Sequence, residues 1–363
     1  MLTYPLIRYQ LVPSALLGDP FTDQIMSSST LPYLFDATLP PIDLSAIPAL
    51  ARLAESMGFN ALWSTETMHD PFLPGALIAE HTQKLCFGTA VAIAFARSPA
   101  TLAYTAWDLA ATSQGRFILG LGTQVKAHIE RRFGMPWPES VVGKLREQIN
   151  AVRALWNTWQ TNQPLSYRSE HYKLNLMSPF FNPGPIKYPD IPIYIAGVNT
   201  GLARLAGELG QGFHAHPIHT PRYLRELILP AIAQGAARAG RTRDEIKVST
   251  SAFLVTSPEE ESFVRAQIAF YASTPSYRPV MELHGWDDTA RQLSSLAARG
   301  EWADMAGLIN DDILRECAVV ASPADLPSAL LERYRGLVDR LGLYIPFTPG
   351  VRDEFWKHLL QGV

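Results

Sequence analysis

Residues 85–122 read LCFGTAVAIAFARSPATLAYTAWDLAATSQGRFILGLG, and they hold a complete strand, helix and strand in one unit. Leu85 to Phe95 is β-like, an apolar run bounded by polar residues. Ser98 and Pro99 then supply a helix N-cap and a first helical residue whose φ is already set. Leu102, Ala106, Leu109 and Ala110 recur at the spacing of a single buried helical stripe. Gln114 and Gly115 stop that helix, and Arg116 to Gly122 forms the next apolar β run. Strands that alternate with helices in this way pair in parallel.

The same unit recurs on both sides of this stretch. Upstream, Phe35 to Leu39 reads as a strand, and Asp43 or Ser45 can cap a helix carrying Leu44, Ile47, Leu50, Ala51, Ala54 and Met57. Gly58 closes that helix, and Asn60 to Ser64 is the second strand. Downstream, helices are expected over 125–133 and 138–160. Ile191 to Gly197 makes strand five, and Asn199 caps a helix that ends at Gly210. Strand six is Gly212 to His216, and Thr220-Pro221 opens a further helix. Ile246 to Thr256 and Leu341 to Phe347 complete eight strands, with a last helix over 352–361. Eight alternating βα units predict an α/β fold, a closed (β/α)8 TIM barrel.

Two segments interrupt the repeat and read as insertions: about 161–188, rich in Asn, Pro and aromatics, after strand four, and about 274–330, mostly helical, near strands seven to eight. Residues 1–34 read as an N-terminal extension, and 35–363 as a single catalytic domain. Tyr4, Arg8, Tyr9 and Gln10 break the apolar start, so it does not read as a signal peptide.

The bulk numbers agree with a barrel. The chain has 363 residues, 47% of them hydrophobic and 18% charged, which suits one well-buried body. A net charge of −3 without a basic run argues against nucleic acid as a partner. Two distant cysteines, Cys86 and Cys317, exclude a disulfide framework and point to the cytoplasm. No apolar run reaches the roughly 18 residues that span a membrane.

A barrel places its chemistry at the C-terminal strand ends. Strand two ends in Glu66, Thr67, Met68, His69 and Asp70, and strand four leads through Thr123 and Gln124 to His128. Glu66, His69 and His128 are the candidate acid–base groups, since carboxylate and imidazole carry protons near neutrality. The turn Ala196-Gly197-Val198-Asn199 enters a helix, whose start offers unbonded N–H groups and a positive dipole end that suit a phosphate. Gly197 there lets a ligand approach the backbone. Alternation puts His214 and His216 on one face of strand six, a pair able to bind a ligand or, with more ligands, a metal. Asp36 and Glu66 are the nearest carboxylates for such a metal site, and the pair Arg131-Arg132 reads as a solvated helix face.

The stretch Gly115 to Thr123 resembles the strand-four signature of the bacterial-luciferase-like superfamily. So do Gly88 to Val91 with Ser98-Pro99, and Asp190 to Gly197. Gln124 to Phe133, Phe181 to Pro185 and the segment from Phe270 to Trp286 are similar to a subgroup of probable coenzyme F420-dependent oxidoreductases. The resemblance implies a flat cofactor ring at the barrel mouth. It also implies a bulge in strand three with a non-proline cis peptide, by position Ala90–Val91. Ala90, Val91, Thr123, Gln124, Ala196, Gly197, Val198, Asn199, His214 and His216 are then expected to bind the cofactor. A catalytic Glu that some relatives carry just after strand four falls at Val125 here, so His69, His128, His214 or His216 would have to replace it, or no such group is used. The implied activity is hydride transfer between a deazaflavin of the F420 type and a small organic substrate. The alternatives are an FMN-dependent monooxygenase, a metal-dependent hydrolase using His214 and His216, and a member that only binds. The expected assembly is a homodimer.

Overall fold

The computed structural model describes residues 33–362. The extension expected over 1–34 lies outside the described residues, except for Tyr33 and Leu34, and Leu34 already belongs to the first strand.

Eight parallel strands close into a barrel in chain order, as the repeat predicts. They are β1 (Leu34–Thr38), β2 (Ala61–Ser64), β3 (Cys86–Thr89), β4 (Phe117–Gly122), β5 (Ile193–Gly197), β6 (Gly212–Ala215), β7 (Lys247–Val255) and β8 (Arg340–Leu343). The described residues form two compact units. One takes residues up to 60, 215–230 and from 248 on; the other takes 61–214 and 231–247.

In the 61–214 unit, β2 pairs with β3 from Ala61↔Cys86 to Ser64↔Thr89, and β4 pairs with β5 at Leu119↔Ile193. Ala61, Trp63, Ile118 and Tyr194 pack together as a buried cluster inside these strands. The helix Pro99–Thr112 starts as its sequence dictates. The Ser98 side chain accepts from the Thr101 N–H, Pro99 follows, and Leu102, Ala103, Ala106, Trp107, Leu109 and Ala110 are buried. Gln114 and Gly115 turn the chain with φ of 57° and 85°.

One helix here, Leu73–His81, has no counterpart in the sequence reading. Its sequence LPGALIAEH is apolar at nearly every position, so no 3.6-residue stripe stands out. The insertion after β4 holds a small antiparallel hairpin, Tyr167–Arg168 against Lys173–Leu174, and a 3-10 turn at Pro179–Phe181.

In the other unit, β8 pairs with both β1 and β7. Asp36 on β1 receives two hydrogen bonds from Arg340 on β8, at 2.8 Å from Nε and 2.7 Å from Nη2, and both groups are buried. Phe59 packs at 6.3 Å from Phe35, 5.1 Å from Phe347 and 5.5 Å from Trp356, centroid to centroid. A 3-10 turn over Leu44–Ala46 precedes the first α-helix, Ile47–Met57, and Asp43 makes no side-chain cap. Gly58 closes that helix with φ 97°, as its position requires. The region expected to be mostly helical also contains a strand, Ala318–Val320, paired in parallel with β7 from Phe253↔Ala318.

Candidate functional site

The site expected from sequence falls, apart from His216, on strand ends of the 61–214 unit. Its centre is the way β3 ends. Phe87 and Gly88 pair with Phe117 and Ile118, and pairing resumes with Ala92 and Ile93 against Leu121 and Gly122. From 88 to 92 one chain advances four residues while the other, from 118 to 121, advances three. One extra residue is therefore accommodated, which defines a bulge. The Ala90–Val91 peptide bond within it is cis.

Glycines on β4 make room for this bulge. A Cβ on Gly120 would sit 1.7 Å from the Thr89 carbonyl oxygen, and one on Gly122 would sit 2.5 Å from Val91 Cγ2. The Thr89 hydroxyl fills the gap in the ladder. It donates to the Gly120 carbonyl at 2.6 Å and accepts from the Gly120 N–H at 3.0 Å.

Side chains clamp the segment that follows. The Glu66 carboxylate accepts from the Ile93 N–H and from Arg97, both at 2.6 Å. Arg97 also donates to the Ile93 carbonyl and pairs with Asp70 at 3.1 Å. Asp70 in turn accepts from the N–H groups of Phe72 and Leu73, just ahead of the helix Leu73–His81. From the opposite side, the buried amide of Gln148 donates to the carbonyls of Ala94 and Arg97. The Glu66 side chain is only 6% exposed and is committed to two strong donors. It links the end of β2 to the segment that follows the bulge.

The other acid–base candidates differ in setting. His69 is exposed and makes no hydrogen bond or ion pair among the described residues. His128 is half-buried, and burial, with help from the Arg132 charge, holds its pKa below the usual imidazole value. Arg131 and Arg132 are exposed, as expected of a solvated face, and Arg132 also donates to the Thr67 carbonyl at 2.9 Å, which ties the loop after β4 to the loop after β2.

Ala90, Val91, Thr123, Gln124, Ala196 and Gly197 are all half-exposed, whereas Thr89, Leu121 and Ile195 just behind them are buried. Gln124 holds the left-handed φ of 58° while its side chain accepts from the Val125 N–H. Asn199 occupies the N-cap position of the helix Thr200–Leu209, yet its side chain does not cap, which corrects the expectation. No acidic residue lies in the first turn either. The first-turn N–H groups have no intrahelical acceptors. Gly197 is explained by packing: a Cβ there would lie 2.9 Å from Leu202 Cβ. Its bareness serves the helix.

The strand expected to carry both His214 and His216 holds only His214. β6 ends at Ala215, so the alternation that would align them stops between the two. His214 is buried, its ring 4.8 Å from Trp63 and 5.1 Å from Tyr194. His216 belongs to the other unit and packs against Tyr271 and Tyr277. Asp36, considered a metal ligand, is held by Arg340. Among the described residues no three His, Cys, Asp or Glu side chains group as a metal site.

Sequence reasoning placed Asp70 and Arg97 at strand ends without a role, and it missed Gln148. They act by reaching from one loop or helix to another, and no periodic pattern marks such a reach. The one local hint was a charge placed directly before the Ser98-Pro99 helix start.

The sequence pattern of the luciferase-like monooxygenases matches residues 26–340. The chain belongs to this family. An uncharacterised Mycobacterium tuberculosis protein is 42% identical over 327 residues, 88% of this chain and 95% of that protein. An F420-dependent glucose-6-phosphate dehydrogenase of Intrasporangium calvum is 30% identical over 208 residues, 53% of this luciferase-like chain and 60% of that enzyme. Among solved structures, the coenzyme F420-dependent tetrahydromethanopterin reductase of Methanopyrus kandleri superposes with a TM-score of 0.71 at 22% identity, over 91% of this chain and 97% of that one. Among the described residues no helix is long and apolar enough to cross a membrane.

Proposed function

We propose that this luciferase-like protein is an oxidoreductase that transfers a hydride between a deazaflavin of the F420 type and a small organic substrate. The observation that carries the reading is the clamped bulge at Ala90–Val91, half-exposed and in the same unit as the uncapped start of the helix Thr200–Leu209. An apolar backbone ledge suits a flat ring, and main-chain N–H groups suit a phosphate. The donor set fits the group. Ala90 and Val91 would back the ring, Thr123 and Gln124 would flank it, and the N–H groups that follow Val198 and Asn199 would hold the phosphate.

Bound there, the deazaflavin supplies a carbon that gives or takes a hydride. The protein supplies placement and shielding from water. Glu66 acts through Ile93, keeping the ledge in place. His128, neutral near pH 7, is the group proposed to hold or pass a proton. The partial likeness to an F420-dependent dehydrogenase favours this cofactor over FMN.

Titration of the purified protein with coenzyme F420 and, separately, with FMN tests the proposal, read by quenching of cofactor fluorescence. Saturable binding of F420 with much weaker binding of FMN is the expected result. Tight FMN binding without F420 binding would replace it by the monooxygenase reading. Binding of neither would leave a protein that only associates.

A further inference from the structure

The second unit holds a polar site that the cofactor proposal does not use. His216, just past the end of β6, accepts from the Ile218 N–H at its Nδ1, 3.1 Å away. An accepting Nδ1 carries no proton, so a neutral ring has its proton on Nε2. The ring of Tyr277 lies 4.7 Å from that of His216, inclined by 43°. Both residues are half-buried, and among the described residues neither the His216 Nε2 nor the Tyr277 hydroxyl has a hydrogen-bond partner. Aromatic rings surround them. Tyr271 stands edge-on to His216 at 4.6 Å and lies 6.3 Å from Phe253.

We infer that His216 and Tyr277 form a ligand subsite in which two neutral donors, set among aromatic rings, hold the carbonyl oxygen of an uncharged, apolar-bodied molecule. Half-buried donors without a protein acceptor are satisfied by water or by a ligand oxygen. Among the described residues the titratable neighbours acting on the two rings are His219 and Tyr271, and no acid competes for the donors. Among the described residues no cation acts on them either, and a carboxylate held there would be a poorly compensated charge. A carbonyl avoids that cost. Desolvation also keeps both groups neutral: it holds the His216 pKa at about 3 and pushes the Tyr277 hydroxyl up to about 12.

That this molecule is the enzyme's substrate rests on the oxidoreductase reading; that the site takes a carbonyl oxygen does not. Acetophenone and its carbonyl-free counterpart ethylbenzene are suitable probes for calorimetric titration of the whole protein. Acetophenone should bind at least about tenfold more tightly than ethylbenzene. Tyr277→Phe and His216→Phe should each weaken acetophenone about three- to tenfold, the worth of one hydrogen bond, and leave ethylbenzene unchanged. The Nε2–H resonance of His216 in histidine-labelled protein should shift with acetophenone and not with ethylbenzene.

Equal affinity for the two probes, no binding of acetophenone, or variants that bind it as the unaltered protein does would each overturn the inference. If His216→Phe does not fold, Tyr277→Phe and the His216 resonance carry the test. Acetophenone binding by a protein that binds no F420 defeats the cofactor reading alone. F420 binding with no dependence of acetophenone on His216 or Tyr277 defeats the subsite alone.

Discussion

The Glu66 carboxylate lies 2.6 Å from the backbone N–H of Ile93, joining the end of β2 to the segment that follows the bulge of β3. Charge-assisted bonds of this kind are worth about 1.5–3 kcal/mol each. Glu66→Ala removes this bond and the ion pair with Arg97 together. We expect it to weaken F420 binding by about tenfold or more while far-ultraviolet circular dichroism stays native. Glu66→Gln keeps an acceptor for Ile93 and should lose less. Unchanged F420 affinity in Glu66→Ala would show that the clamp does not position the ledge.

The buried pair Asp36–Arg340 ties β1 to β8 through two hydrogen bonds. Removing one partner leaves the other charge buried and uncompensated, at a cost of about 3–5 kcal/mol. Asp36→Asn and Arg340→Met should each lower the urea midpoint strongly. The combination Asp36→Leu with Arg340→Met should recover much of the loss. A double variant as unstable as the sum of the single ones would refute this account.

His219 gives stability a pH dependence. It is fully enclosed, with Nε2 3.1 Å from the Tyr334 hydroxyl and Nδ1 2.9 Å from the His216 carbonyl. Desolvation, the largest cause, brings its pKa down to about 4, below the ordinary 6.5. Between those values the unfolded chain binds a proton that the folded chain does not. Stability is therefore complete above about pH 6.5 and is lost as pH falls toward 4, at up to about 1.4 kcal/mol per pH unit for the group. His216 and His128 act in the same direction. Urea unfolding at pH 7, 6 and 5 should show a shallower slope for His219→Gln than for the unaltered protein. Parallel slopes would exclude His219 as a source.

What the sequence displayed was the part written in local periodicity. The unit from Leu85 to Gly122 is legible because Ser98-Pro99 and Gln114-Gly115 punctuate it and because Leu102, Ala106 and Leu109 mark one buried face. The location of the cis peptide was legible only through family resemblance, since nothing in Ala90-Val91 itself announces it. The helix Leu73–His81 was hidden because its residues are apolar on every side: it packs closely at Gly75, against Phe87 and Leu109. Ala318–Val320 is too short to show an alternation. The clamp around Glu66 was illegible for a different reason. Glu66, Ile93, Arg97 and Gln148 are separated by turns and helices, and only the closed barrel brings them within bonding distance.

The helix Thr200–Leu209 begins with no ionisable side chain at its cap or in its first turn. An anion seated there would meet amide dipoles that do not titrate. Its hold on a phosphoryl group should then follow the charge of that group alone, so any pH dependence of this contact would belong to the guest and not to the amides that receive it.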